Sequence, residues 1–451
     1  MGACGPAPPA IDTSRPAPLI LLSVLELPRI PFLRMAGTTL SERREWWADQ
    51  LLTLGLVLSS IGICTSVPLV YVGYAVTGLG AVLIYQRLAP FLVGSGWAVA
   101  LSLWMVLCGW VSPYANNAIP PAWAYCWPSL SLWALAASHP RRIMKAWFGV
   151  AVSGVLAGGL ALLQFTLGYR QDLAPFRLGN GGERGVQASG FYSHWIRYGN
   201  ALAFVTLWMV AWLHALPRPA VWRWAGIGMV GVLGITCVAI SGARGAILAL
   251  FAGAWILTTG MFRWRRAIVS TVVLLGLLGS AVFFLWPAHG NRLTDALAGH
   301  DGRTYIWRTS WEIFQVHPWL GIGGFGYDES ATATVAQGLS QPGPEGPRMG
   351  NAHNSFLSLL VLYGIPGLIL WLGWLTRVVT HIWQFRHRHP AAWPLALATL
   401  GVFLVGSLTE DLAAYAASRF QLFFGLALAL GCTANSQAAD LEMKNGYSTR
   451  S

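Results

Sequence analysis

Four basic side chains in the second half of the chain have types and settings suited to one chemistry. Arg303 and Arg308 lie in the run Gly302-Arg303-Thr304-Tyr305-Ile306-Trp307-Arg308, inside a polar island from Pro287 to Asn351 bounded by two apolar runs of membrane length. The island opens directly onto Ala352-His353-Asn354-Ser355, and Arg244 follows the turn Ser241-Gly242-Ala243 at the head of another apolar run. Guanidinium groups form paired, charge-assisted hydrogen bonds to phosphate and neutralise negative charge on a leaving group. An imidazole, with an ordinary pKa of about 6.5, suits a general base at neutral pH. Arginines and a histidine at the mouth of a bilayer point to a site that holds an anionic lipid head group and moves a proton. The bland alternatives are snorkelling for Arg244, an i,i+4 pair with Glu312 for Arg308, and capping of the following helix for His353.

The elements that must position these groups are membrane helices. The chain is 451 residues long, 55% hydrophobic and only 10% charged, with 24 tryptophans, which excludes an ordinary soluble domain and requires lipid as solvent. About twelve apolar runs are long enough to cross the hydrocarbon core as helices: 49–66, 67–85, 91–111, 119–138, 144–168, 199–216, 222–240, 244–261, 267–287, 354–377, 391–409 and 412–432. The expected fold is therefore an all-α polytopic membrane protein. Residues 1–47 form an N-terminal tail, 48–432 the membrane domain and 433–451 a C-terminal tail. Met35, followed by Ala-Gly-Thr-Thr-Leu-Ser-Glu-Arg-Arg, reads as an alternative start.

Basic residues in short loops stay on the cytoplasmic side. Arg43 and Arg44, Arg87, Arg141 with Arg142 and Lys145, Arg218 with Arg223, Arg263 with Arg265 and Arg266, and the run from Arg377 to Arg388 all fall on one face, which puts both tails inside. The loops 169–198 and 288–353 then face outward. They still carry Arg170, Arg177, Arg184, Arg197, Arg292, Arg303, Arg308 and Arg348, an excess that topology does not supply. The net charge of +12 is thus part orientation bias and part site, and nucleic-acid binding is a poor explanation for it. The six cysteines form no C-x-x-C pair, so neither a disulfide framework nor a zinc site is indicated.

Within the larger outward loop, Asp301 is placed as the N-cap of a short helix running to about Val316. Trp307, Trp311 and Phe314 recur on one face of it, as expected for an amphipathic helix lying on the membrane surface. Gly321-Ile322-Gly323-Gly324-Phe325-Gly326 matches a dinucleotide loop only loosely, with no strand before it, and reads as a tight turn. Gly364, Pro366 and Gly367 fall inside the tenth run, where they allow a kink, a lateral gate for a polyprenyl tail, or simple close packing. Glu410 and Asp411 are expected to begin the last helix, where acids favour an N-terminus, with Arg419 two turns deeper as a partner.

Taken in order, Ser241-Gly-Ala-Arg-Gly-Ala246, Gly302-Arg-x-x-x-Trp307 with His317-Pro-Trp-Leu-Gly-Ile-Gly323, and His353-Asn-Ser-Phe-Leu357 with Gly364-Ile-Pro-Gly367 resemble the O-antigen ligase and polymerase superfamily. The resemblance runs over 184–376, and the twelve-span layout, GT-C-like with a large periplasmic loop bearing short amphipathic helices, extends it to most of the chain. It implies an inverting, metal-independent glycosyltransferase of the bacterial inner membrane with its site facing the periplasm and no cofactor. The implied donor is an undecaprenyl-pyrophosphate-linked polysaccharide, and in the ligase branch the acceptor is lipid A–core oligosaccharide. Arg244 and Arg303 would hold the donor pyrophosphate, with Arg308 in a secondary contact, and His353 would be catalytic. Arg184, Arg197, Asn354, Glu410, Asp411 and Arg419 are further candidate substrate contacts. A polymerase or a protein oligosaccharyltransferase of the same superfamily is the alternative. A lipid-linked glycan transporter is the rival from another class, disfavoured by the near absence of acids within the runs.

Overall fold

A computed structural model describes residues 39–84, 92–112, 140–166, 188–192, 194–217, 219–261, 302–324, 326–339, 350–387, 390–413 and 417–432. All regular structure among them is helical, in twelve segments: α1 Leu40–Thr65, α2 Val67–Leu83, α3 Ser95–Val111, α4 Pro140–Thr166, α5 Trp195–Ala215, α6 Ala220–Ile240, α7 Arg244–Met261, α8 Gly302–Val316, α9 Tyr327–Ala336, α10 Ser355–Gln384, α11 Ala392–Thr409 and α12 Ala417–Cys432. Six of these are long and apolar enough to cross a membrane, and α2, α3, α7 and α12 are shorter apolar helices. Ten of the expected runs are thus helices of a multi-pass membrane protein. The runs 119–138 and 267–287 lie outside the described residues, as do Arg184 and Asp301.

Contacts divide the chain at Arg43, inside the first turns of α1. The helix itself starts at Leu40 rather than at 49. Thr39 and Glu42 form a reciprocal capping box, with the Glu42 carboxylate accepting from the Thr39 amide at 2.8 Å and the Thr39 hydroxyl from the Glu42 amide at 3.3 Å. Two tight joins are as expected. Ser66 caps α2 immediately after α1 ends, and Ser241-Gly242-Ala243 turns α6 into α7, with Gly242 left-handed at φ 68° and the buried Ser241 hydroxyl accepting from the Ala243 amide.

The core is set by two seams. α12 is buried over almost its whole length, and Trp208 of α5 reaches Thr399 of α11 with a 2.9 Å hydrogen bond. α7 and α11 run antiparallel with small residues facing one another: Gly245 against Thr409, Ala249 beside Gly406, and Gly253 against Gly401 and Val402. Small residues four apart let two helix backbones approach closely where no hydrophobic drive operates between them. The seam has a functional consequence, since it brings the first turn of α7, which starts at Arg244, against the last residues of α11.

α10 contains the kink expected from Gly364 and Pro366, and its chemistry is specific. Gly364 sits at φ 66°, ψ −172°, a region open essentially only to glycine. The carbonyls of Val361 and Leu362 accept from the amides of Ile322 and Gly323, both at 2.9 Å, and Trp104 Nε1 donates to the Tyr363 carbonyl at 2.8 Å. The Ile365 amide donates to the Pro318 carbonyl at 2.9 Å, and Pro366 has no amide hydrogen to place. The segment following α8 thus occupies the interruption and satisfies the backbone groups it frees, as a low-dielectric interior demands. The glycine-rich stretch is the expected turn, with Gly321 and Gly323 both at positive φ, and its task is to stitch α8 onto α10.

Candidate functional site

α8 is anchored at both ends of the face it turns inward. Thr309, Ser310 and Ile313 are buried, and the Ser310 hydroxyl bonds the phenol of Tyr327 on α9. Trp307 and Trp311 lie on the other side, 40% and 49% exposed, as expected of the aromatic face, whereas Phe314, expected with them, is half-buried against the cluster that holds Ile313. Trp307 also has a positional job, because its Nε1 donates to the Ala352 carbonyl at 3.0 Å. The first turn of α8 is thereby fixed beside the segment that carries His353.

That segment is shaped by its own sequence. Asn354 caps α10, its side-chain oxygen accepting from the amides of Phe356 and Leu357 at 3.0 and 3.1 Å. Capping is therefore the task of Asn354 and not of His353. The Asn351 side chain accepts from the His353 amide at 2.8 Å, and His353 adopts φ 46°, the one positive φ outside glycine among the described residues. A left-handed backbone is uncommon for a residue with a side chain, and such conformations gather at functional sites.

The His353 side chain meets Glu410. Its Nδ1 lies 3.2 Å from Glu410 Oε2, and Arg303 Nη2 lies 2.6 Å from Glu410 Oε1. The carboxylate side chain is only 3% exposed, whereas His353 and Arg303 are 31% and 39% exposed. One buried acid thus ties a partly exposed imidazole and a partly exposed guanidinium into a single cluster. With a carboxylate at Nδ1, the imidazole is held as the Nδ1–H tautomer and Nε2 is left as the basic nitrogen. The remaining donors of the Arg303 fork can still take an anion.

Glu410 reaches this position because it is not helical, which corrects the expectation that it and Asp411 begin the last helix. It ends α11 in an extended conformation, φ −146° and ψ 157°, and α12 starts at Ala417. The turn is held from several sides: the Ala413 amide donates to the Ser355 hydroxyl at 3.0 Å, Arg419 Nη1 donates to the Ala413 carbonyl at 2.8 Å, and Ser358 donates to the fully buried Asp411 carboxylate. The two acids have separate surroundings. Glu410 faces the exposed basic groups and Asp411 faces α10.

Arg244 is exposed at the first residue of α7, and Glu410 Cγ lies 3.8 Å from where a Cβ on the next residue, Gly245, would stand. The structure therefore brings the starts of α7, α8 and α10 together around the end of α11. Arg308 is apart from this cluster, 63% exposed and paired with Glu312 at 3.1 Å on its own helix, the bland role its spacing predicted. Arg197 is exposed in the first turn of α5. His194 caps α5 and lies within electrostatic reach of both Glu410 and His353. Burial first, and then the charge of Arg197, hold its imidazole below the ordinary histidine value.

Residues 229–372 match the family model described as O-Antigen ligase. The match covers Arg244, Arg303, Arg308 and His353, and stops before Glu410. No curated protein matches the chain.

Proposed function

We propose that this chain, whose residues 229–372 match the O-antigen ligase family model, is an O-antigen ligase. It transfers a polysaccharide from undecaprenyl pyrophosphate to lipid A–core oligosaccharide at the periplasmic face of a bacterial inner membrane, with inversion and without a metal. The observation that supports this reading best is the Arg303–Glu410–His353 cluster, with its acid buried and its base and guanidinium open.

In the proposed step the acceptor hydroxyl oxygen attacks the anomeric carbon of the donor sugar. His353 Nε2 takes the hydroxyl proton as the new glycosidic bond forms, and Glu410 stabilises the imidazolium that results. The bond from the anomeric carbon to the pyrophosphate oxygen breaks, and its electron pair leaves with the pyrophosphate. Arg244 and the remaining donors of Arg303 take up that charge, with Arg308 in a weaker outer contact. Attack from the face opposite the leaving group inverts the anomeric centre. Asn354 and Arg419 serve by holding the segments that carry His353 and Glu410.

The test is transfer by purified protein from an undecaprenyl-pyrophosphate-linked glycan to lipid A–core, with EDTA present. A higher-mass lipopolysaccharide band that disappears in His353→Ala is the expected result. Growth of the donor chain itself, or transfer to a protein, would replace the ligase assignment with polymerase or oligosaccharyltransferase. Loss of the band with EDTA and its return with a divalent cation would overturn the metal-independent mechanism.

A further inference from the structure

His194 has the setting of a ligand-binding group rather than of a cap alone. Its Nδ1 accepts from the Ile196 amide at 3.3 Å, which commits that nitrogen to the helix and leaves the ring hydrogen on Nε2. Among the described residues nothing occupies Nε2. The ring is fixed in plane by stacking on Trp195, centroids 4.0 Å apart and 20° between planes, and Trp195 is itself packed into the hydrophobic core. Serine, threonine, aspartate and asparagine are the usual residues at an N-cap, so a histidine there brings a second functional edge at some cost in capping.

The beginning of α5 is also built into the site. A Cβ on Gly199 would stand 3.0 and 3.1 Å from the methyl groups of Ala243 and Ala246, on either side of Arg244. One on Gly406, four residues before Glu410, would stand 3.3 Å from the Asn200 side-chain oxygen. These close approaches fix the first turns of α5 against both α7 and α11, and the charges of Glu410, His353 and Arg197 all reach the His194 ring. An imidazole with a donor edge, fixed on a helix start that packs against the starts of the elements carrying Arg244 and Glu410, is suited to a hydroxyl-rich ligand.

We propose that His194 is a substrate-binding residue of this site, its Nε2–H donating a hydrogen bond to a sugar hydroxyl of the glycan positioned over His353 and Glu410. This rests on the glycosyltransferase reading above. The sugar belongs either to the donor glycan or to the acceptor oligosaccharide, which share this chemistry. His194 holds the sugar and takes no part in moving the proton, because its one acceptor nitrogen is engaged by the Ile196 amide.

Two substitutions separate binding from capping. Asparagine is a strong N-cap with no group at the Nε2 position, whereas glutamine extends an amide donor to about that reach. Full-length wild type, His194→Asn and His194→Gln are compared in lipid nanodiscs, with initial rates measured against undecaprenyl-pyrophosphate-linked glycan and, separately, against lipid A–core. His194→Asn is expected to melt at or above the wild-type temperature while the KM for one substrate rises about tenfold, the loss of one well-placed hydrogen bond. His194→Gln is expected to recover most of that loss, and the substrate whose KM moves identifies the source of the sugar. Wild-type KM for both substrates in His194→Asn overturns the inference. A lowered melting temperature in both variants with proportionate loss of activity also overturns it, in favour of a cap. Absence of glycan transfer by wild type itself is a separate result, which defeats the transferase reading and this inference with it.

Discussion

Two interruptions of helical structure in this bundle, at Gly364 and at Glu410, are resolved in opposite ways. At Gly364 the break in α10 is closed by backbone. Amides of Ile322 and Gly323, the Pro318 carbonyl and the Trp104 indole take up the groups it frees. At Glu410 the break between α11 and α12 is held open by side chains, and its buried carboxylate is directed at Arg303 and His353. Both interruptions depend on α8, which supplies the stitching segment to the first from its C-terminal end and Arg303 to the second from its first turn. A satisfied break is structural, and a break that presents an ionisable group to open basic residues is a candidate site.

This contrast predicts that damage at the first interruption is read in stability and damage at the second in activity. The largest effect is expected for Gly364→Ala. A Cβ there would overlap the Trp319 carbonyl and demand a backbone region closed to alanine, at a cost of about 4 kcal/mol or more. Little folded protein should be recovered, as judged by gel-filtration profile and melting temperature. Glu410→Gln should fold normally and lower the transfer rate by about 100-fold or more, because the imidazolium loses its counter-charge; a fall in melting temperature comparable to that of Gly364→Ala would erase the distinction between the two breaks.

Smaller effects sharpen the same contrast. Trp104→Phe removes one hydrogen bond from the closed break, so a loss of about 1 kcal/mol in stability with unchanged transfer kinetics is expected. Arg303→Ala should lower transfer by about 100-fold, in the range seen when an arginine or an oxyanion donor is lost from a reacting centre. Arg308→Ala should change it by no more than about threefold, since that guanidinium is exposed and its pair with Glu312 contributes at most about 1 kcal/mol. Equal losses in the two arginine variants would contradict the placement of Arg308 outside the cluster.

Much of the bundle was legible because apolar runs bounded by arginines, glycines and prolines are a strong signal in a chain that must satisfy its backbone internally. The start of α7 at Arg244 and the aromatic face of α8 followed from spacing alone. The early start of α1 is not visible in apolar length, because it is set by Thr39-Leu-Ser-Glu42, a capping box written in polar residues. The turn at Glu410 was missed for a different reason. Acids ahead of an apolar run fit a helix N-terminus, and nothing local reveals that Ser355, Ser358 and Arg419 hold the segment out of helix. The same limit applies to the glycine-rich stretch, which was read correctly as a turn, while its partner, the broken turn of α10, lies about forty residues away. The stretch around His194 fits an aromatic belt anchor as well as a substrate-contacting loop, and its local sequence cannot decide between them because its neighbours in the site come from α10 and α11, more than a hundred residues along the chain.

The central claim is that Glu410 and His353 act as one unit, and a kinetic double-mutant cycle tests it most directly. Transfer rates would be measured for His353→Ala, Glu410→Gln and the double variant, each with a wild-type-like melting temperature. If the carboxylate works through the imidazole, the double variant will be no slower than His353→Ala alone. Losses that multiply would show that Glu410 acts independently of His353, and the pairing at 3.2 Å would then not be the catalytic contact.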